Sequence, residues 1–192
     1  MTDSPSTSIR QYGLVTLSYW AFTLTDGALR MLVLLYFHRL GFSPIEIASL
    51  FILYEISGVF TSVLSGWLAS RVGLAPTLQL GLVLQILAIT MLLVDNQYLT
   101  VAYVMIAQAV SGIGKDLNKL CAKSSIKILR PENAKDSLFK WVALLTGSKN
   151  TLKGVGFFLG GALLSLIGFQ NTLIIMALFL LVILLLGIFL LP

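Results

Sequence analysis

Basic residues recur at helical spacing inside segments too apolar for a soluble domain: Arg30, Lys115, Lys119, Lys123, Lys149 and Lys153. Asp26, Glu55 and Asp116 share those segments, so six positive charges face three negative ones. An ionisable side chain near the centre of a bilayer costs several kcal/mol unless it is paired or hydrated, and it marks an ion or substrate pathway. A small anion is the simplest partner for the surplus.

Side chains at i, i+4 and i+7 share a helix face. By that rule Tyr19, Thr23, Asp26 and Arg30 line up, and Asp26 and Arg30 are spaced to pair directly as an i,i+4 couple. Glu55 has no basic residue within four positions, so it must pair across helices or carry a proton. With Asp26 and Asp116 it forms the candidate set for charge pairing or proton coupling. Gly58, Ser62 and Gly66 continue its stripe at the spacing that lets helices approach closely. Gln108, Ser111, Lys115, Asn118 and Lys119 fall on one face, with Asp116 beside them, and Lys123 and Lys127 extend the row. Lysines near a helix end can snorkel to the interface, but Lys115 lies about 24 Å from Leu99 at the helical rise, deep for that escape. Thr146, Lys149, Lys153, Gly156 and Gly160 share another face, which suits protein or water rather than lipid. The candidate anion-binding residues are Arg30, Lys115, Asn118, Lys119, Lys149, Asn150 and Lys153. Arginine grips an oxyanion with two donors at once, whereas lysine acts as a point charge.

The elements that must carry these residues follow from composition. The chain has 192 residues, 57% hydrophobic and 11% charged, which excludes a soluble globule. Six apolar stretches run over residues 13–37, 45–68, 77–94, 99–129, 138–167 and 172–191. A spanning helix needs about 20 such residues, so the expected fold is an all-α bundle of six transmembrane helices. Turn chemistry separates them at residues 41–44, 73–76, 95–97, 131–136 and 168–171. Residues 1–11 are expected to be a mobile cytoplasmic tail, retained because they lack the features of a signal peptide, with the bundle over residues 12–192.

The third and sixth stretches hold no ionisable residue, while the other four do. That polarity pattern suggests a 3+3 inverted repeat, about 13–94 and 99–191, whose third helices face lipid while the rest line a cavity. Arg10, Arg71, Lys127, Arg130, Lys135 and Lys140 fall on one side against Arg39 on the other, which predicts cytoplasmic termini. Trp67 and Trp141 then lie near that interface, and Trp20 lies deeper.

His38 is isolated in a loop and Cys121 has no histidine nearby, so no metal cluster, nucleophile dyad or phosphate loop can be assembled. Neither an enzyme nor a cofactor is expected, and the positive net charge is not read as nucleic-acid binding. The alternative to transport is a membrane assembly subunit whose charges only pair helices; a sharp excess of one sign argues against it.

The residues resemble the major facilitator superfamily, whose N-terminal half has six helices with the first, second, fourth and fifth around the path. Gly156 to Gly161 looks like the end of the glycine motif of its exporters, with Phe157 where proline is usual. Gly66, Arg71 and Gly73 resemble its cytoplasmic loop motif, with Ser70 where aspartate is usual. The strings Tyr19 to Arg30, Lys115 to Lys119, Ala122 to Lys127 and Lys140 to Ala162 look like the ArsJ-type organoarsenical efflux permeases of that superfamily. The resemblance implies export of 1-arseno-3-phosphoglycerate across the plasma membrane, giving arsenate resistance, and a functional link to a glyceraldehyde-3-phosphate dehydrogenase. Another phosphorylated or carboxylate anion is the alternative cargo. Members have about twelve helices, so a missing C-terminal half or a second copy is the expected partner, beside membrane lipid and the anion itself.

Overall fold

The computed structural model describes residues 5–128 and 135–190. Its helices are α1 (Pro5–Arg39), the short α2 (Pro44–Ser49), α3 (Ile52–Val72), α4 (Leu74–Met91), α5 (Val101–Ile128), α6 (Lys135–Ile167) and α7 (Phe169–Leu190), with a 3-10 turn at Asn96–Tyr98. The six long helices coincide with the six apolar stretches. Arg130, the turn at residues 131–134, the first four residues, and the side chains of Arg10, Lys127, Lys135, Lys140 and Trp141 lie outside the described residues.

One boundary moves substantially. Helix α1 begins at Pro5, so residues 5–11 belong to the helix and not to a tail. Proline is suited to a first helical turn, since its φ is already helical and the amide it lacks would have no intrahelical partner. The second stretch is broken at Leu50–Phe51 into α2 and α3, and α2 starts with a capping box: the Ser43 hydroxyl accepts from the Glu46 amide and the Glu46 carboxylate accepts from the Ser43 amide. Gly73, at φ 101°, turns α3 into α4 within one residue, and Gly168, at φ 83°, does the same between α6 and α7.

The segments Gly13–Arg39, Pro44–Val72, Leu74–Met91, Thr146–Ile167 and Phe169–Leu190 are long and apolar enough to cross a membrane. Helix α5 is 28 residues long but carries Lys115, Asp116, Lys119, Lys123 and Lys127. It packs against both α3 and α4, so the bundle itself surrounds much of its polar surface. The chain is a multi-pass membrane protein.

Packing follows a crossed pattern. Helix α1 packs on α6 and α7, while α5 packs on α3 and α4. The first long helix of each half thus lies against the second and third long helices of the other half. The larger apolar core gathers Phe37, Leu50, Leu92, Leu99 and Phe169 toward one end. A smaller one gathers Val15, Leu78, Cys121 and Ala122 at the other.

Candidate functional site

Helix-helix approach sets the site. On the α1–α6 side, a β-carbon on Gly27 would meet the Lys153 carbonyl, and β-carbons on Gly156 and Gly160 would meet the α1 backbone at Leu24 and Ala28. These glycines bring α6 against α1 and carry Lys149 and Lys153 with it. The Trp20 indole donates to the Ser148 hydroxyl at 3.0 Å, a second tie beside Lys149. On the α3–α5 side, Gly112 leaves room for the Tyr54 carbonyl and the Ser57 hydroxyl, and Ser57 donates to the Ala109 carbonyl at 3.0 Å. Gly58 lies under the Asp116 carboxylate. Gly66 has nothing around it and Ser62 is exposed, so the expected packing stripe on α3 is confined to Gly58.

Between these pairs is a cavity of about 220 Å³. Helix α1 lines it with Tyr19, Phe22, Thr23, Asp26 and Arg30, α3 with Glu55, α5 with Lys115 and Lys119, and α6 with Lys149 and Lys153. Neither α4 nor α7 contributes. Five cations therefore face two carboxylates across the cavity, with Asp116 at its border.

The charges fall into two groups. In the first, Glu55 bridges two helices, with one oxygen 2.6 Å from Arg30 Nη2 and the other 3.5 Å from Lys115 Nζ. Asp116 lies 3.8 Å from Lys115 and 3.4 Å from Lys119. The second group is Lys149 and Lys153, which pair with no carboxylate among the described residues. The nearest charges around Lys149 are Lys119, Lys153, Lys123 and Lys115, while Lys153 lies within longer reach of Asp26 and Glu55 as well as Arg30 and Lys115. Like charges held together at this depth need an anion or water among them.

Four expectations change. Asp26 does not pair with Arg30; it accepts from the Tyr54 hydroxyl at 2.6 Å while Arg30 turns to Glu55. The i,i+4 spacing permitted the pair, but partners on α3 reach both residues at better geometry. Asn118 is fully buried beside Gly81 of α4 and does not line the cavity. Asn150 is exposed and likewise not part of the lining. Gln108 and Ser111 leave the lysine face as well, Ser111 donating to Gln85 of α4 at 2.6 Å.

Tyr54 is the residue that sequence reasoning missed. It is fully buried, and its ring carries the Arg30 guanidinium at 3.9 Å and the Lys115 ammonium at 4.1 Å from the centroid. Such contacts are attractive because the ring face is electron-rich. The available signal was helical spacing: Tyr54, Gly58, Thr61 and Ser65 form a stripe, and all four are buried.

Residues 15–192 match the family model described as Major Facilitator Superfamily. No curated protein matches the chain.

Proposed function

The chain belongs to the Major Facilitator Superfamily, a family of membrane transporters, and from that premise we propose that it carries a small organic anion bound at the five-cation cavity. The observation that carries this reading is the pair Lys149 and Lys153, held near the middle of α6 beside other cations, with no ion pair to a carboxylate among the described residues. A phosphate or carboxylate supplies the missing charge. Arg30, Lys115 and Lys119 form the opposite wall, while Asp26, Glu55 and Asp116 hold the cations in place or exchange protons.

The cargo we propose is a multiply anionic ester with two oxyanion groups, 1-arseno-3-phosphoglycerate, which the sequence strings of α1, α5 and α6 favour. The direction is export across the plasma membrane, with cytoplasmic termini and supply by a glyceraldehyde-3-phosphate dehydrogenase acting on arsenate. The exposed faces of α3 and α6, which flank the cavity, are where a second bundle would complete the path, whether from the same polypeptide or another copy.

Inside-out vesicles bearing the protein test this directly. Arsenate, the dehydrogenase, its nicotinamide cofactor and glyceraldehyde-3-phosphate are supplied outside, and arsenic accumulation in the lumen is measured. Accumulation that needs the dehydrogenase and competes with 3-phosphoglycerate supports the full reading. Uptake of other phosphorylated or carboxylate anions without arsenic keeps the coarser reading and removes the arsenate ester. No anion uptake in membranes where the folded protein is joined by the second bundle that completes the path overturns both.

A further inference from the structure

The Arg30–Lys115 pair already has an anion on it. The Glu55 carboxylate enters the cavity from α3 and places one oxygen on each cation, at 2.6 and 3.5 Å. Two oxygens on one atom are also what a substrate phosphate or carboxylate presents. Yet the fit is incomplete. Arg30 donates from Nη2, while its Nε is buried with no partner. A guanidinium holds an oxyanion best through two parallel donors, and Glu55 uses one. Glu55 is also 61% exposed, so it lies over the pair without being locked under other side chains.

We propose that Glu55 is an internal surrogate anion, occupying a second anion subsite that a bound substrate takes over. The inference rests on the anion-transport reading and refines it. Lys149 and Lys153 form the open subsite, which accepts the first anionic group. Arg30 and Lys115 form the closed one, which accepts a second group when Glu55 withdraws. The occupant's class follows: a small molecule with two oxyanion groups gains from both subsites, and one with a single group gains from one. Displacement also limits affinity, because the leaving carboxylate loses its pairs as the substrate gains its own. A transported anion must be released, and a carboxylate ready to return helps to expel it.

The test is binding of inorganic phosphate and of 3-phosphoglycerate, which has oxyanions at both ends, to full-length protein in nanodiscs by calorimetry. In the wild type, 3-phosphoglycerate is expected to bind more tightly than phosphate. Glu55→Gln removes the competing charge and should tighten 3-phosphoglycerate about tenfold, within the usual range of coupling between ligands. Lys149→Ala should weaken both probes about tenfold, and adding Glu55→Gln to it should restore phosphate binding by opening the other subsite. Glu55→Asp, too short to span both cations, should fall between wild type and Glu55→Gln, and it carries the test if the glutamine variant does not fold.

Binding that is unchanged or weaker in folded Glu55→Gln, or in Glu55→Asp in its place, overturns the surrogate role. If Lys149→Ala still weakens binding, the anion site itself survives that failure. Wild-type protein that binds neither probe overturns both.

Discussion

At the scale of single residues, charge and shape can be separated at Lys149. Replacing it with alanine removes a charge-assisted contact to the proposed anion, worth about 1.5 kcal/mol, so affinity should fall about tenfold while membrane abundance holds. Lys149→Arg keeps the charge but substitutes a planar fork for a compact ammonium. A site built around geometry loses affinity in both variants, whereas one that only needs positive charge tolerates arginine, and titration calorimetry tells the two apart. Tyr54 makes a different prediction. Its hydroxyl is the hydrogen-bond donor to Asp26, whose side chain is 4% exposed. Tyr54→Phe keeps the ring under Arg30 and Lys115 but strands that carboxylate, at a cost of at least about 1–3 kcal/mol. Thermal melting in detergent should show the loss, and adding Asp26→Asn should recover part of it by removing the buried charge. A melting temperature that the first change leaves untouched would remove Tyr54 from its supporting role.

At the scale of elements, the helices were legible because their apolar runs and glycine or proline breaks are local signals. The lysine face of each of α5 and α6 was also legible, since a period of 3.6 places Lys115 with Lys119 and Lys149 with Lys153 on one side of its own helix. What could not be read was each helix's rotation against its neighbours. At about 100° per residue, Asn118 lies roughly 60° from Lys115 and 100° from Lys119, enough to turn it toward α4 once Gly81 and Gly114 have drawn α4 and α5 together. Tyr54 was hidden for the same reason: one position before Glu55, it points into the bundle while Glu55 reaches the cavity. Such rotations are set by glycine contacts on two helices at once, so a contrasting pair of variants tests them. Gly112→Leu drives a side chain into the Tyr54 carbonyl and Ser57, where overpacking costs about 1–3 kcal/mol or more. Gly66→Leu meets open space and should be tolerated. Melting curves should therefore drop for the first and not the second; similar losses at both would mean that α3 is not held against α5 by this contact.

At the scale of the whole molecule, the placement of basic residues predicts orientation, and orientation decides what the cavity faces. The smaller apolar core brings the end of α3, the start of α4 and the last part of α5 to one end of the bundle. Arg71 lies at that end, its guanidinium 5.1 Å from the centre of the exposed Trp67 ring, an amphipathic pair suited to a membrane interface. Lys123 and Lys127 lie in the same part of α5, while Arg39 ends α1 at the opposite end. If positive charge is retained in the cytoplasm, the row from Lys123 to Lys115 climbs from the cytoplasmic side toward the middle of the bundle. An anion entering there would leave along an inside-negative potential, which contributes about 2.3 kcal/mol per charge per 100 mV. The orientation is therefore part of the export we propose, and single cysteines measure it. Ser70 is exposed at the end of α3, Gln97 is exposed in the turn between α4 and α5, and the native Cys121 is buried and should label little. A membrane-impermeant maleimide added to intact cells should modify Gln97→Cys and spare Ser70→Cys until the membrane is opened. The reverse pattern would turn the lysine row outward, so that the same charges and the same potential would oppose export.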